Sequence, residues 1–424
     1  MNQSLKKIVF TSVIGNALEF YDFTICGVFI TTLSKVFFPS IDPTLSLFAS
    51  FFAFSAAFWT RPFGAYVFGY IGDRLGRKKA LTLSVSLMGL PTFFIGILPG
   101  YEILGIAAPL ILILCRMLQG LCTGGEYNGA AIFALEHAAN KRPGFISGFI
   151  SASCVLGAIT ATIAGAIVSL SFMPSWAWRV PFLFGAVVSV VGYYVRRACS
   201  ESPEYVGLKE LPKNLPILTV FKESKAPFFV NIVTGGMNGV LSYTLFAFLT
   251  VYLSRYVQVP LEKGIFLNIF GLFSFMFFCP VFGSLSDKLT PRRSILFSLG
   301  LVFCLSFLSF ALLQSPQLYS LILGQVLLGL LVAAFVGPSH AFMQTLFPAK
   351  TRYSGIALSF CIGMAITGGS TPMLLTYLID ASQNLYVPAF LLMGYAVFTS
   401  LVLFMAQFYI SEQKTQEAER AKAA

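Results

Sequence analysis

Charge is scarce in this 424-residue chain: only 11% of its residues are Asp, Glu, Lys or Arg, and only two are His. A soluble fold of this length would need far more charge on its surface, so a water-soluble globular architecture is excluded. No serine-nucleophile elbow, zinc-binding HExxH or phosphate-cradling Walker loop occurs, and metal-ligating residues do not cluster in the sequence. Hydrolytic, metal-dependent and nucleotide-driven chemistry therefore lack their usual residues, and neither an enzyme nor a resident cofactor or metal is expected. The eight cysteines, at positions 26, 115, 122, 154, 199, 279, 304 and 361, form no Cys-x-x-Cys pair and fall mostly inside apolar runs. They read as small hydrophobes and not as a disulfide framework. The formal net charge of +11 is spread over short loops. Without a basic domain or an aromatic-interleaved basic patch, nucleic acid is not an expected partner.

What the chain has is apolar length: 57% of it is hydrophobic, 15% is aromatic, and 45 residues are Phe. About 20 apolar residues span a bilayer as a helix. Runs of that size lie near 10–37, 45–71, 80–99, 104–135, 144–171 and 177–196, and again near 226–253, 263–285, 294–313, 317–345, 353–378 and 386–410. An all-α membrane protein with twelve transmembrane helices is expected, in contact with a lipid bilayer. With twelve spans both termini share a side, and Lys6, Lys7, the 74–79 cluster, Lys141, Arg142, Lys288, Arg292, Arg293, Lys350 and Arg352 all fall there. The positive-inside rule makes that side cytoplasmic. Lys6 and Lys7 precede an apolar segment that contains Glu19 and Asp22, which suits a first span better than a signal peptide. The only long hydrophilic interruption, rich in Pro, Lys and Glu, divides the chain. The expected organisation is a six-helix bundle over 1–196, a cytoplasmic linker over 197–225, a second six-helix bundle over 226–410 and a short cytoplasmic tail over 411–424.

The two halves carry a faint repeat. Gly69-x-x-x-Asp73-Arg74-Leu75 is echoed by Gly283-x-x-x-Asp287-Lys288-Leu289, and Arg116-x-x-x-Gly120-Leu121 by Gln325-x-x-x-Gly329-Leu330. The second copies are degenerate: Thr290 and Pro291 stand where the first has Gly76 and Arg77, and Gln325 replaces an arginine. Gly69, Asp73, Arg74, Gly76, Arg77, Asp287 and Lys288 read as a duplicated gate at the cytoplasmic ends of two helices. A short polar hairpin between spans is the plainer alternative.

Ionisable groups inside apolar runs are the functional candidates, because the bilayer tolerates them only when they are paired or used. Glu19 and Asp22 lie three apart, roughly on one helix face beside Tyr21, and two close carboxylates in a dry site favour proton loading. An interfacial pair that only orients the helix is the alternative. Arg116, with Gln119, and Glu126, with Tyr127, lie on one run. Ten residues separate Arg116 from Glu126, about 15 Å of straight helix, so the two serve different layers. Arg61 opens the charged stretch and faces either a cavity or an interface. In the second half Asn231 and Asn238, seven apart, and Gln325 supply neutral hydrogen bonds, either to a ligand or between helices. Trp178 with Arg179 reads as an interfacial anchor, and Glu201-Ser202-Pro203-Glu204 as a helix stop.

Three sequence patterns together resemble the metabolite:proton symporters of the major facilitator superfamily, the group with proline/betaine, dicarboxylate, citrate and shikimate permeases. They are the glycine-rich Arg61 to Lys79 loop, Gly15-Asn16-x-x-Glu19-Phe20-Tyr21-Asp22, and Arg116-x-x-Gln119-Gly120 followed by Gly124-Gly125-Glu126. The resemblance implies two six-helix bundles in a bacterial inner membrane, both termini cytoplasmic, and a monomer. It also implies a secondary active transporter that couples proton entry to uptake of a small polar metabolite by alternating access. In that reading Asp22, Glu19 and Glu126 handle the proton, which is the coupling ion. Arg116, Arg61, Tyr21, Tyr127, Gln119, Asn231, Asn238 and Gln325 bind a zwitterion such as proline or betaine, or an organic carboxylate. Gln344-Thr345 lacks the acidic residue that many members carry before Phe347-Pro348, and Cys361 stands where Asn is frequent, so the substrate of a relative does not transfer automatically. A proton-independent facilitator or exporter and a non-transporting membrane receptor are the alternative classes.

Overall fold

The structure, a computed structural model, describes residues 3–39, 43–138, 141–170, 172–208 and 215–423, and contains no strand among them. Its helices in the first half are α1 (Gln3–Val28), α2 (Ile30–Phe37), α3 (Pro43–Arg74), α4 (Arg77–Ile97), α5 (Tyr101–Leu104), α6 (Ala107–His137), α7 (Pro143–Val168) and α8 (Arg179–Arg197). Two short helices follow, α9 (Pro203–Val206) and α10 (Pro216–Glu223). The second half holds α11 (Lys225–Tyr243), α12 (Leu249–Val251), α13 (Leu261–Lys288), α14 (Pro291–Leu313), α15 (Leu318–Gln344), α16 (Arg352–Gly363), α17 (Thr371–Ser382) and α18 (Val387–Ala423). π-helical turns at Thr244–Phe248 and Tyr252–Tyr256 prolong α11, and another at Met364–Gly368 joins α16 towards α17.

Among the described residues ten helical segments are long and apolar enough to cross a membrane, and the pair around Phe29, bent by 61°, makes an eleventh. The 32-residue α3 completes the expected set of twelve, with Arg61, Asp73 and Arg74 along it. The first run, 10–37, is thus broken and not one straight rod. Helix starts follow local chemistry. Ser202 and Thr290 cap α9 and α14 by accepting from Tyr205 N and Arg293 N, each ahead of a proline whose missing N–H is no loss there. Between α3 and α4 only Leu75 and Gly76 intervene. Gly76 has φ +114°, a conformation that a Cβ would strain, and this lets the chain reverse in two residues.

The chain forms two compact units. Unit 1 comprises 1–141, 149–216 and 349–358; unit 2 comprises 142–148, 217–348 and 359–424. The division by sequence falls at 216/217, but the start of α7 clusters with unit 2 and the start of α16 with unit 1. Residues 209–214 of the expected linker and the side chains of the 411–424 tail lie outside the described residues, although α18 continues to Ala423.

The apolar core of unit 1 runs through Tyr21, Ile25, Phe29, Phe37, Ile95, Leu112, Trp178 and Phe182. Trp178 therefore corrects the interfacial-anchor expectation. It is buried edge-on to Phe37 and Phe182, while Arg179 stacks over it and donates to the carbonyls of Gly96 (3.0 Å) and Leu98 (2.7 Å). Those carbonyls lie at the end of α4, where no intrahelical N–H serves them, so a guanidinium does so.

Candidate functional site

The buried polar interior of unit 1 is arranged in three successive groups. The first joins α1, α4 and α6. Arg116 Nη1 donates to Gln119 Oε1 (2.7 Å), Gln119 Nε2 donates to Thr92 Oγ1 (2.9 Å), and the Thr92 hydroxyl reaches Asp22 Oδ2 (3.1 Å). Asp22 Oδ1 has no hydrogen-bond partner among the described residues. Arg116 and Arg61 both lie over the ring of Phe23, at 5.5 and 4.9 Å, and Arg61 also lies over Phe58 at 4.6 Å. Phe23 and Phe58 meet edge to face at 5.0 Å. Two guanidiniums on the same ring repel each other, ring faces only partly screen them, and the carboxylates of Asp22 and Glu19 lie within their electrostatic reach.

The second group lies further along α6. Glu126, fully buried, makes an ion pair with Arg196 of α8 and accepts from the Ser84 hydroxyl (2.5 Å). Arg196 also donates to Leu81 O (2.7 Å), and it reaches Glu126 by crossing α1 at Gly15, where any Cβ would strike its guanidinium. Glu19, one turn from Gly15, is in electrostatic reach first of Glu126, then of Arg61, Arg196 and Asp22. Its Oε2 has no hydrogen-bond partner among the described residues. Glu19 remains in electrostatic reach of Asp22, and each has further partners: Asp22 accepts from Thr92, which in turn accepts from Gln119, while Glu19 also lies near Glu126, Arg61 and Arg196.

The third group closes the other end of α3. Asp73 Oδ1 accepts from Tyr353 N (3.0 Å) and Oδ2 from Ser354 N (2.8 Å), which satisfies two amides in the first turn of α16. An anion at a helix N-terminus is favoured by the dipole as well. Arg77, fully buried, binds Asp73 (2.9 Å), Gly72 O (2.5 Å), Glu136 (3.3 Å) and Ala349 O (2.5 Å). Glu136 in turn takes Arg352 (2.9 Å) and the Ser202 hydroxyl, Arg352 also bonds Glu204 (2.5 Å), and Glu201 accepts from Lys78 N (3.0 Å). The stretch Glu201 to Glu204 is thus part of the charge network and more than a helix stop. Gly69 packs on Ser354, Gly76 on Glu201, and Arg74 stacks on Tyr70 while its carbonyl accepts from Tyr205.

Unit 2 repeats one part of this. Asp287 accepts from Gly144 N (2.6 Å) and Phe145 N (3.0 Å), capping the first turn of α7 as Asp73 caps that of α16. Lys288 beside it is exposed. Asn231 donates to Ser359 Oγ (2.7 Å), Asn238 accepts from Ser242 (3.2 Å), and Gln325 is fully buried with neither amide atom hydrogen-bonded among the described residues. Tyr21 donates its hydroxyl to Pro181 O (2.8 Å), a helix-to-helix bond, and Tyr127 stands edge-on to Phe20 at 6.0 Å.

Sequence reasoning missed Arg196 and Glu136. Arg196 is the last residue of the first expected bundle, where a basic residue beside the hydrophilic stretch gives no sign of burial, and its burial depends on Gly15, 181 positions away. Glu136 offered only the weak signal of a carboxylate ending an apolar run.

An all-helical chain of two units, with carboxylates and guanidiniums sequestered among membrane-length helices, has the construction of a secondary transporter. Residues 13–317 and 260–424 match the Major Facilitator Superfamily, and the chain belongs to it. Within that superfamily it is 33% identical over 413 residues to the Proline/betaine transporter of Escherichia coli (strain K12), covering 93% of this chain and 81% of that one. It is also 33% identical over 420 residues to the Glycine betaine/proline/ectoine/pipecolic acid transporter OusA of Dickeya dadantii (strain 3937), covering 95% and 83%. The fold matches that of the proton:xylose symporter XylE bound to 6-bromo-6-deoxy-D-glucose, with a TM-score of 0.74 at 13% identity over 96% of each chain. This protein is a multi-pass membrane transporter of a small molecule and not an enzyme.

Proposed function

We propose that this transporter couples proton entry to uptake of a small polar metabolite bearing a carboxylate, with a zwitterion such as proline or glycine betaine as the leading candidate. The observation that carries the reading is the placing of two guanidiniums on Phe23 beside two carboxylates that each keep an oxygen without a hydrogen bond among the described residues. Arg116, held by Gln119, and Arg61 attract the substrate carboxylate. The rings of Phe23 and Phe58 already carry the two guanidiniums, so the cationic nitrogen of a zwitterion is drawn instead to the carboxylates of Asp22 and Glu19. Asp22, within the same hydrogen-bonded chain as Arg116, exchanges the proton, and Glu19 relays between Asp22 and the Glu126 layer. Neutralising Asp22 lowers the penalty of carrying a charge through the low-dielectric interior.

The names of the proline/betaine relatives support a zwitterion, and so does the paired presence of cationic and anionic groups in one site. An inner-membrane location with cytoplasmic termini and monomeric operation belong to the same proposal. The test is uptake of labelled proline, glycine betaine and a dicarboxylate into proteoliposomes at equal and at opposed pH. Accumulation of a zwitterion driven by external acid, lost in Asp22→Asn while counterflow exchange persists, is expected. Equal accumulation with and without the pH gradient would instead make the protein a facilitator. Accumulation confined to dicarboxylates would remove the zwitterion assignment.

A further inference from the structure

Tyr353 occupies an unusual position. It belongs by sequence to the second half of the chain, yet it is fully buried within unit 1. Its backbone N–H is held by Asp73, and its hydroxyl donates to Gly125 O (2.7 Å), the carbonyl directly before Glu126. The ring fits only because two neighbours lack side chains. A Cβ at Gly72 of α3 would strike the ring, and one at Gly129 of α6 would strike the hydroxyl. The titratable and charged groups around Glu126 are Arg196 of α8, Glu19 of α1, Cys122 of α6 and Tyr353 of α16, while α4 supplies the Ser84 hydroxyl. Of these, Tyr353 arrives at the start of α16, on a segment docked by side-chain contacts: the Asp73 bonds to its first amides, the Arg352 pairs with Glu136 and Glu204, and the Arg77 bond to Ala349 O. Breaking those contacts frees it without unfolding α6 or α8.

We propose that the Tyr353 side chain is a removable plug: seated between Gly72 and Gly129 it seals the route from the Asp73 end of unit 1 to the Glu126–Arg196 ion pair, and its withdrawal admits water to that pair. The ring leaves no room for a Cβ at either glycine, and the buried carboxylate lies one residue beyond the carbonyl that the phenol binds. Withdrawal breaks the Asp73 hydrogen bonds to the α16 start, the Arg352 pairs with Glu136 and Glu204, the Arg77 to Ala349 bond and the Tyr353 to Gly125 bond together. Release of the clamp and exposure of Glu126 then become one event. The use made of the admitted proton rests on the coupling proposed above, whereas the seal itself does not.

The test uses full-length protein in proteoliposomes without substrate. Three measurements are compared: proton leak under an imposed pH gradient, labelling of Glu126 by a water-soluble carbodiimide read by peptide mass spectrometry, and amide exchange at Tyr353 and Ser354. Tyr353→Ala removes a buried ring and is expected to shift docking by roughly a hundredfold, with faster exchange, more Glu126 labelling and a proton leak. Tyr353→Phe keeps the ring, loses one hydrogen bond, and is expected to shift docking by at most about tenfold. Gly129→Ala evicts the ring with Tyr353 intact and is expected to behave like Tyr353→Ala, which guards against a folding defect peculiar to one variant. Faster exchange in both variants with unchanged Glu126 labelling would overturn the plug. Increased labelling without a leak would uphold the seal and remove Glu126 from the proposed proton path.

Discussion

The two units differ in what they bury. Among the described residues, Glu19, Asp22, Asp73, Arg77, Arg116, Glu126, Glu136 and Arg196 are all buried, and all belong to unit 1; unit 2 buries amides and hydroxyls but no Asp, Glu, Lys or Arg. Yet the two keep one shared device, an aspartate at the end of a long helix holding the first amides of another, Asp73 for α16 and Asp287 for α7. The part that recurs is the one that docks a helix start. The part that diverged is the charge inside the bundle, where Arg116 is answered by Gln325. An internal repeat thus preserves the mechanical element and lets one copy specialise in electrostatics.

Breaking the buried charge should do the most damage. Glu126→Gln leaves the Arg196 guanidinium buried without its carboxylate, and a loss of about 3–5 kcal/mol is expected. Thermal unfolding of detergent-solubilised protein measures it. The double variant Glu126→Gln with Arg196→Gln should recover part of that loss, and failure to recover any would show that the pair matters less than the separate contacts of each residue. Next in size is Asp73→Asn, which weakens charge-assisted bonds to two amides and to buried Arg77, at about 2–3 kcal/mol. Amide exchange at Tyr353 and Ser354 should rise accordingly. The matched change Asp287→Asn serves half-buried groups with no buried arginine to strand, so about 1 kcal/mol is expected from the helix dipole and hydrogen bonds. If Asp287→Asn proved the more damaging of the two, the contrast between the units would fail at its shared element. Smallest is Gln325→Leu. Neither amide atom of Gln325 is hydrogen-bonded among the described residues. Replacement by an apolar side chain of similar size should therefore change unfolding by less than about 1 kcal/mol, in either direction. A large loss would reveal that Gln325 carries a bond of its own.

Several of these elements were legible in the chain. Asp73 and Asp287 stood out through their repeat spacing, and Glu19, Asp22, Arg116 and Glu126 because a charge in an apolar run advertises itself. The full grouping of those residues was not legible. Local spacing grouped Glu19 with Asp22, and helix packing added the partners that spacing does not show, Thr92 for Asp22 and the Glu126 layer for Glu19. The bond from the Tyr21 hydroxyl to a carbonyl 160 positions away was equally invisible in the chain.

Composition and run length by themselves determined a membrane-spanning helical bundle in two related halves, because the hydrocarbon layer sets both the length and the polarity of whatever crosses it. Only tertiary structure decided the partners: Arg196 for Glu126, Phe23 under Arg61 and Arg116, and Tyr353 between Gly72 and Gly129. The physical reason is one of range. The bilayer acts on every residue of a run alike, so its demands are written locally, whereas a hydrogen bond or ion pair depends on a few ångströms between groups that only the packing of distant helices brings together.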